Sequence, residues 1–133
     1  MDAAQALADL TEISSQIDAA VLFGADGAIE GSTLPGEDAA RALAQAGEQL
    51  LAGASAFRGD GGEVTQLEAS THEGSVFVVS DGPRRIVATT GPDPTVGLVF
   101  YDLKSCLRGA AAEPAKPKRR KRAPAGGGPD GEA

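Results

Sequence analysis

The first apolar stripe of the chain has helical spacing. Apolar residues recur every three or four positions up to about Asp18, which predicts an amphipathic helix. Asp2 is expected to cap this helix, with Gln5 three positions later as its capping-box partner. The predicted core-facing residues are Ala3, Ala6, Leu7, Leu10, Ile13 and Ile17.

A short hairpin is predicted next. Residues 20–23 form an apolar run, and residues 28–32 form a second short strand candidate. Asp26 and Gly27 lie between the two runs, and both residue types tolerate the positive φ of a tight hairpin turn. Gly24 and Gly27 are therefore assigned to a hairpin and not to a phosphate-binding loop.

A second, longer helix is predicted from Glu37 and Asp38, whose charge suits a helix N-terminus, to about Phe57. Small residues widen its apolar arc to roughly 200°, which is more than a single sheet covers. We therefore expect a second packing partner along this helix, such as a second copy of the chain. The core stripe comprises Ala40, Leu43, Ala44, Gly47, Leu50, Leu51, Ala54 and Phe57, and the small residues beside it are Ala42, Ala46, Gly53 and Ala56.

Three strand candidates follow the loop at residues 59–62, at residues 63–71, 75–80 and 85–90. Their short connections predict an antiparallel meander. The middle strand is apolar on both sides, which indicates helices on both faces of the sheet. The first strand has one polar face and is expected at an edge, where it could pair with another subunit.

The last helical pattern begins near Pro94, with Asp93 as the expected cap. Cys106 lies at the rim of its apolar stripe, so we interpret it as a small packing residue and not as a reactive thiol. The stripe comprises Val96, Val99, Phe100, Leu103, Leu107 and Ala110.

Charge divides the chain into two regions. Residues 1–112 contain 16 acidic and 6 basic residues and are expected to form one α/β domain, whereas residues 113–133 contain 3 acidic and 6 basic residues. The second region is rich in Pro, Ala and Gly, without apolar periodicity, and is predicted to be a disordered tail. Its basic residues could solubilise the chain, adhere to an anionic membrane or nucleic acid, or attract an acidic protein, including its own domain. They are Lys116, Lys118, Arg119, Arg120, Lys121 and Arg122.

Candidate catalytic residues are sparse. The chain has no P-loop motif, its one histidine, His72, is expected in a turn, and Asp9, Glu12 and Glu48 are expected on solvent faces. We therefore predict no enzyme activity, no cofactor and no metal. The acidic domain argues against specific nucleic-acid binding, and no apolar stretch approaches a membrane span. Met1 is followed by Asp2 and there is a single cysteine, so we expect a cytoplasmic protein.

The order of these elements resembles the roadblock/dynein light chain superfamily, bacterial type, with members similar to the gliding-motility GTPase-activating protein. Residues 20–29 stand where that family has an apolar strand, an Asp-Gly turn and a returning strand. Residues 75–80 match a strand of the family's meander, and residues 96–99 match the start of its last helix. The resemblance covers roughly residues 3–110.

The resemblance implies a five-stranded antiparallel sheet in the order α-β-β-α-β-β-β-α, with the second helix on one face and the terminal helices on the other. It also implies a dimer formed through the third strand and the second helix, and binding to a small Ras-like GTPase without a donated catalytic residue. The short loop at 59–62, the weakly apolar third strand and the basic tail depart from the family pattern. The expected interface residues are Ala42, Ala46, Gly47, Leu50, Gly53, Val64, Gln66 and Glu68.

Several functions remain open at this level. The GTPase regulator could activate, inhibit or scaffold, and it could form a homodimer or a heterodimer with a related chain. A structural adaptor that docks a polar or membrane complex through the basic tail is the alternative. Sensing of a small ligand by the sheet is less well supported, because no polar cluster on it predicts a pocket.

Overall fold

The computed structural model describes residues 2–58 and 64–111, apart from the side chain of Arg58. The predicted loop at 59–62, residue Glu63 and the predicted tail at 113–133 lie outside the described residues. The element order is α-β-β-α-β-β-β-α, as the sequence predicts. The elements are α1 (Ala3–Ile13), β1 (Ile17–Gly24), β2 (Ile29–Ser32), α2 (Glu37–Arg58), β3 (Gln66–Ser70), β4 (Ser75–Asp81), β5 (Arg84–Thr90) and α3 (Val96–Ala111).

The five strands form one antiparallel sheet with the order β2-β1-β5-β4-β3. β3 is therefore an edge strand, as expected from its polar face. Alternation along β4 confirms that both faces are covered, because Phe77 and Val79 pack towards α1 and α3 while Val78 packs towards α2. The sheet thus separates two apolar cores, and α2 is the one described helix on its face.

Helix α1 ends five residues earlier than predicted. The amide of Ser14 donates to the carbonyl of Leu10 (2.9 Å), and the chain then becomes extended and enters β1 at Ile17, which pairs with Thr90. The placement of Ile13 and Ile17 on the buried helix face was wrong: Ile13 is 72% exposed and Ile17 belongs to the sheet. Pairing with β5 provides backbone hydrogen bonds that prolonging the helix would forfeit.

The N-terminus of α1 is capped as predicted, but the capping box is incomplete. The carboxylate of Asp2 accepts a hydrogen bond from the backbone amide of Gln5 (2.8 Å). The side chain of Gln5 donates to Asp9 (2.9 Å), four residues along the helix, and does not reach back to the cap. Asp9 is therefore hydrogen-bonded within the helix, and its side chain is half-buried. The sequence had placed this carboxylate on a solvent face.

The Asp-Gly turn between β1 and β2 is confirmed. Gly27 has a φ of 88°, a conformation that favours glycine, and the carboxylate of Asp26 accepts from the amide of Ala28 (3.1 Å). The hairpin is closed by the amide of Gly24 donating to the carbonyl of Ala28 (2.9 Å). β2 begins one residue later than predicted, at Ile29.

Helix α2 packs on the sheet through Ala40, Ala44 and Leu51, which are buried against Val87 and neighbouring strand residues. The predicted burial of Phe57 was wrong, because this side chain is 91% exposed. Phe57 lies in the last turn of α2, six residues after Leu51, the last buried residue of the helix.

Helix α3 begins later than predicted. The carbonyl of Thr95 accepts from the amide of Val99 (3.0 Å), whereas Asp93 adopts a left-handed φ of 56° in the preceding turn. The assignment of Asp93 as cap, and of Pro94 as the first helical residue, was wrong. Val96 is partly exposed, at 38%, and the remainder of the predicted stripe is buried or half-buried. No helix in the described part of the chain is long and apolar enough to cross a bilayer.

Candidate interaction surfaces

One flank of α2 presents small side chains to solvent. Ala42, Ala46 and Gly53 are all exposed, and we call these three residues the α2 flank. A Cβ built on Gly53 would meet no atom within 4 Å, so nothing in the described residues covers this position. Small residues on an exposed helix face permit close approach of another backbone. The flank is thus a surface that a second chain could approach closely.

Gly47 does not lie on the α2 flank, although the sequence grouped it with the interface residues. It is buried against the sheet, and a Cβ there would lie 3.0 Å from Cβ of Val87 and 3.5 Å from Cζ of Phe23. This glycine allows α2 to approach the sheet of its own subunit, so its assignment to the exposed surface is corrected. Leu50 is half-buried and packs partly against the same core.

The free edge of β3 forms a second open surface. The side chains of Gln66 and Glu68 are exposed, and each is paired across the ladder with a residue on the α1/α3 side of the sheet. Glu68 is fixed there by the hydroxyls of Ser70 (2.5 Å) and Ser75 (3.2 Å). Val64 packs towards α2 instead. The structure therefore divides the predicted β3 residues between the two faces of the sheet.

The residues considered for catalysis are dispersed. His72 is exposed in the turn between β3 and β4, and Glu48 forms an ion pair with Arg85 (3.1 Å) that joins α2 to β5. Burial, with a smaller contribution from the Asp9 carboxylate, raises the pKa of Cys106 to about 11. The described residues contain no group of three His, Cys, Asp or Glu side chains that could hold a metal ion.

Comparison with known proteins gives a result at the level of fold. No family model matches the chain, and no curated protein matches it. Among solved structures, a Roadblock/LC7 domain from Streptomyces avermitilis has a TM-score of 0.73 at 19% identity, covering 84% of this chain and 96% of that chain. This chain has the roadblock fold. The gliding protein MglB from Thermus thermophilus superposes with a TM-score of 0.66 at 15% identity, covering 82% and 85% of the two chains. MglB from Myxococcus xanthus gives 0.59 at 15% identity, covering 80% and 79%.

A third surface of this roadblock domain was not anticipated from the sequence. A groove of about 280 Å³ runs between α1 and α3, and we call it the α1/α3 groove. Apolar periodicity predicts the two helices that form this groove. It does not predict which of their side chains lie opposite each other. Its lining includes Asp9, Leu10 and Ile13 from α1 and Tyr101, Asp102 and Cys106 from α3.

Proposed function

We propose that this chain is a non-catalytic dimeric regulator or scaffold that binds a small Ras-like GTPase and modulates its GTP hydrolysis or its placement. The observation that carries the proposal is that, in the part of the chain that the structure describes, nothing covers the α2 flank or pairs with the outer edge of β3. The likeness of the fold to the two MglB gliding proteins supports it further.

Dimerisation would cover both open surfaces at once. Pairing β3 with its copy across a two-fold axis would satisfy the free backbone groups of the edge and extend the sheet to ten strands. Among residues 2–58 and 64–111, α2 is the only helix on its face of the sheet, so a second α2 could lie beside it. The exposed Ala42, Ala46 and Gly53 would allow the two helices to approach closely. The exposed Phe57 extends this apolar area.

A regulator of this kind needs no catalytic group of its own. In Ras-like GTPases the phosphate-binding loop, Mg²⁺ and the residue that orients the attacking water all belong to the GTPase. A partner that holds those loops in a productive arrangement accelerates hydrolysis by positioning alone. A partner that holds them apart inhibits, and one that does neither acts as a scaffold. The proposed function includes these three outcomes as distinct results of one assay.

The first experiment measures the mass of the purified chain by light scattering coupled to size exclusion. We expect twice the chain mass for the wild type, and a monomer for Ala46→Arg, which places a bulky charge on the α2 flank. Ala8→Arg makes the same change at an exposed position of α1 and should leave the dimer intact. A wild-type chain that remains monomeric at all concentrations would refute the dimer.

The second experiment tests the GTPase directly. The candidate GTPase is chosen by searching the neighbouring genes for a P-loop protein of the Ras-like type, and its binding is measured by pull-down. Single-turnover GTP hydrolysis and nucleotide affinity are then followed with and without the chain. Faster hydrolysis identifies an activator and slower hydrolysis an inhibitor. Binding that leaves the hydrolysis rate unchanged identifies a scaffold. If the chain neither binds the GTPase nor changes hydrolysis or nucleotide affinity, the proposal is wrong.

The alternative function, a structural adaptor acting through the tail, is favoured by the six basic residues between positions 116 and 122. A chain limited to residues 1–112 separates the two functions. Loss of cellular placement with GTPase binding retained would assign placement to the tail and GTPase binding to the roadblock domain. Loss of placement in a chain that binds no GTPase would favour the adaptor.

A further inference from the structure

The α1/α3 groove combines apolar side chains with carboxylates. Ile13 and Tyr101 stand at its sides, 72% and 64% exposed, which is unusual for large apolar side chains beside a groove. Asp9 and Asp102 contribute negative charge from opposite helices. No lysine or arginine of the described residues lines the groove. A ligand that matches this surface is therefore cationic, with apolar parts beside its charges, as in the aliphatic stems of Lys and Arg side chains.

The charges of α3 are segregated around the helix. Lys104 and Arg108 line a different hollow, on the β3 and β4 side, together with Gln66 and Asp81. Asp102 faces α1 instead, and α1 contains no basic residue. Lys104 and Arg108 therefore do not line the groove, and its carboxylates have no basic partner among the described residues.

Asp102 is the more buried of the two carboxylates that line the groove. Its side chain lines the groove although the residue is only 7% exposed. Within the described residues, the ion pairs join Arg41 to two acidic neighbours, Arg84 to Glu30 and Arg85 to Glu48, and none includes Asp102. The Asp102 carboxylate thus has no basic partner among the described residues, and a cationic group could approach it through the groove.

The chain itself carries a segment of the required chemistry. Helix α3 ends at Ala111, two residues after Gly109, which lines the groove. Six Lys and Arg residues follow between positions 116 and 122, interspersed with one proline and preceded by Pro114 and Ala115. Small apolar residues and basic charges thus leave the fold at one end of an apolar, acidic groove.

The length of the connection fits. The α3 side of the groove, from Gly109 back to Tyr101, is about 12 Å long at 1.5 Å per helical residue. An extended chain advances about 3.3 Å per residue, so position 116 lies within about 17 Å of Ala111 and position 122 within about 36 Å. A segment that reverses direction after α3 can therefore place its basic block along the whole groove.

We propose that the basic segment around residues 116–122 docks into the α1/α3 groove of its own subunit, with its Lys and Arg side chains on Asp9 and Asp102. A short tether gives a local concentration on the order of millimolar, so even weak contacts populate the docked state. Because the contacts are ionic and partly exposed, salt weakens them. Docking withholds the basic block from other anionic partners until something displaces it. This inference is independent of the GTPase proposal.

Tyr101 provides a direct readout, because it is the only tyrosine of the chain and there is no tryptophan. Quenching of its fluorescence by acrylamide measures how accessible the groove is. Relative to the full chain, we expect the quenching constant to rise about twofold in the chain limited to residues 1–112. We expect the same rise in a double variant of the full chain that carries both Asp9→Asn and Asp102→Asn. The matched control Asp18→Asn and Glu73→Gln removes two exposed carboxylates outside the groove and should leave quenching unchanged. In 0.5 M NaCl the difference between full and shortened chains should vanish.

Position is tested by a spin label at Ala123→Cys in a Cys106→Ser background. We expect the amide signals of Asp9, Ile13 and Tyr101 to broaden in the full chain and to recover in the Asp9→Asn and Asp102→Asn variant. A mixture of isotope-labelled chain with spin-labelled, isotope-free chain should show no broadening if docking occurs within one subunit. Circular dichroism confirms that each variant is folded.

Three outcomes would overturn the proposal. Equal quenching of Tyr101 in the full and shortened chains at low salt would show that nothing covers the groove. Broadening in the mixed sample would assign the groove to contact between chains. Shortening the chain could also lower the oligomeric mass. If the quenching of Tyr101 then changes only in the species of lower mass, the groove is a subunit interface and not a docking site for the tail.

Discussion

Replacing Gly47 and Gly53 by alanine, one at a time, separates packing from helix propensity within α2. Both glycines lie in the interior of the same helix, where alanine is more favourable by about 1 kcal/mol because it restricts the unfolded chain. Their surroundings differ. A Cβ at Gly53 meets open space, whereas one at Gly47 would lie 3.0 Å from Cβ and 3.2 Å from Cγ2 of Val87.

The magnitudes follow from this difference. Gly53→Ala should raise the free energy of unfolding by about 0.5–1 kcal/mol. Gly47→Ala gains the same propensity but must displace Val87, which is fully buried in β5 and has a stiff, β-branched side chain. Overpacking of this kind costs about 1–3 kcal/mol. The difference between the two variants cancels propensity and should therefore be about 1–3 kcal/mol in favour of Gly53→Ala.

Urea unfolding followed by far-ultraviolet circular dichroism measures both changes through the midpoint at constant slope. The titrations are repeated at several protein concentrations, because unfolding of the proposed dimer would make every midpoint depend on concentration, and a change of that dependence in Gly53→Ala alone would reveal a dimer contact at Gly53. Equal stability of the two variants would refute the close approach of α2 to β5. A stabilised Gly47→Ala would refute it as well.

Three further predictions concern single residues. Because the pKa of Cys106 is raised from 9.0 to about 11, the stability that its neutral thiol contributes is complete below pH 9 and is lost as the pH rises to about 11. The urea midpoint of the wild type should fall across this pH range, and the midpoint of Cys106→Ser should fall less. Glu48→Gln breaks the ion pair with Arg85 and should cost about 0.5–1 kcal/mol, a loss that shrinks in 1 M NaCl; a salt-independent loss would contradict the ionic origin. In Gly74→Ala the new Cβ overlaps the carbonyl oxygen of Thr90 in a neighbouring strand, so a loss above about 3 kcal/mol is expected in thermal unfolding, and near-native stability would show that the turn can shift.

The alternation and spacing of apolar residues are sufficient to predict the order of the elements in this chain. β4 shows why: Phe77 and Val78 are adjacent in sequence and therefore point to opposite faces of the sheet, so two apolar neighbours require two cores. The polar face of β3 likewise places it at an edge. These features depend on nearby residues and on backbone geometry, which is the reason that a single sequence contains them.

Element ends depend on partners far along the chain. The first helical pattern runs on through Ile17, yet the helix stops at Ile13 because Ile17 pairs with Thr90. The start of α3 is set similarly, since the amide of Thr95 donates to the side chain of Gln16 (2.6 Å), 79 residues earlier. No local pattern contains either contact.

The candidate surfaces show the same division. The sequence alone identifies α2 as too widely apolar for one sheet, and it places Gly47 both on the core stripe and among the interface residues. The packing of α2 on Val87 assigns Gly47 to the core and leaves Gly53 exposed. The α1/α3 groove is set wholly by tertiary structure. Its carboxylates, Asp9 and Asp102, are 93 positions apart and become neighbours because both helices pack on the same face of the sheet.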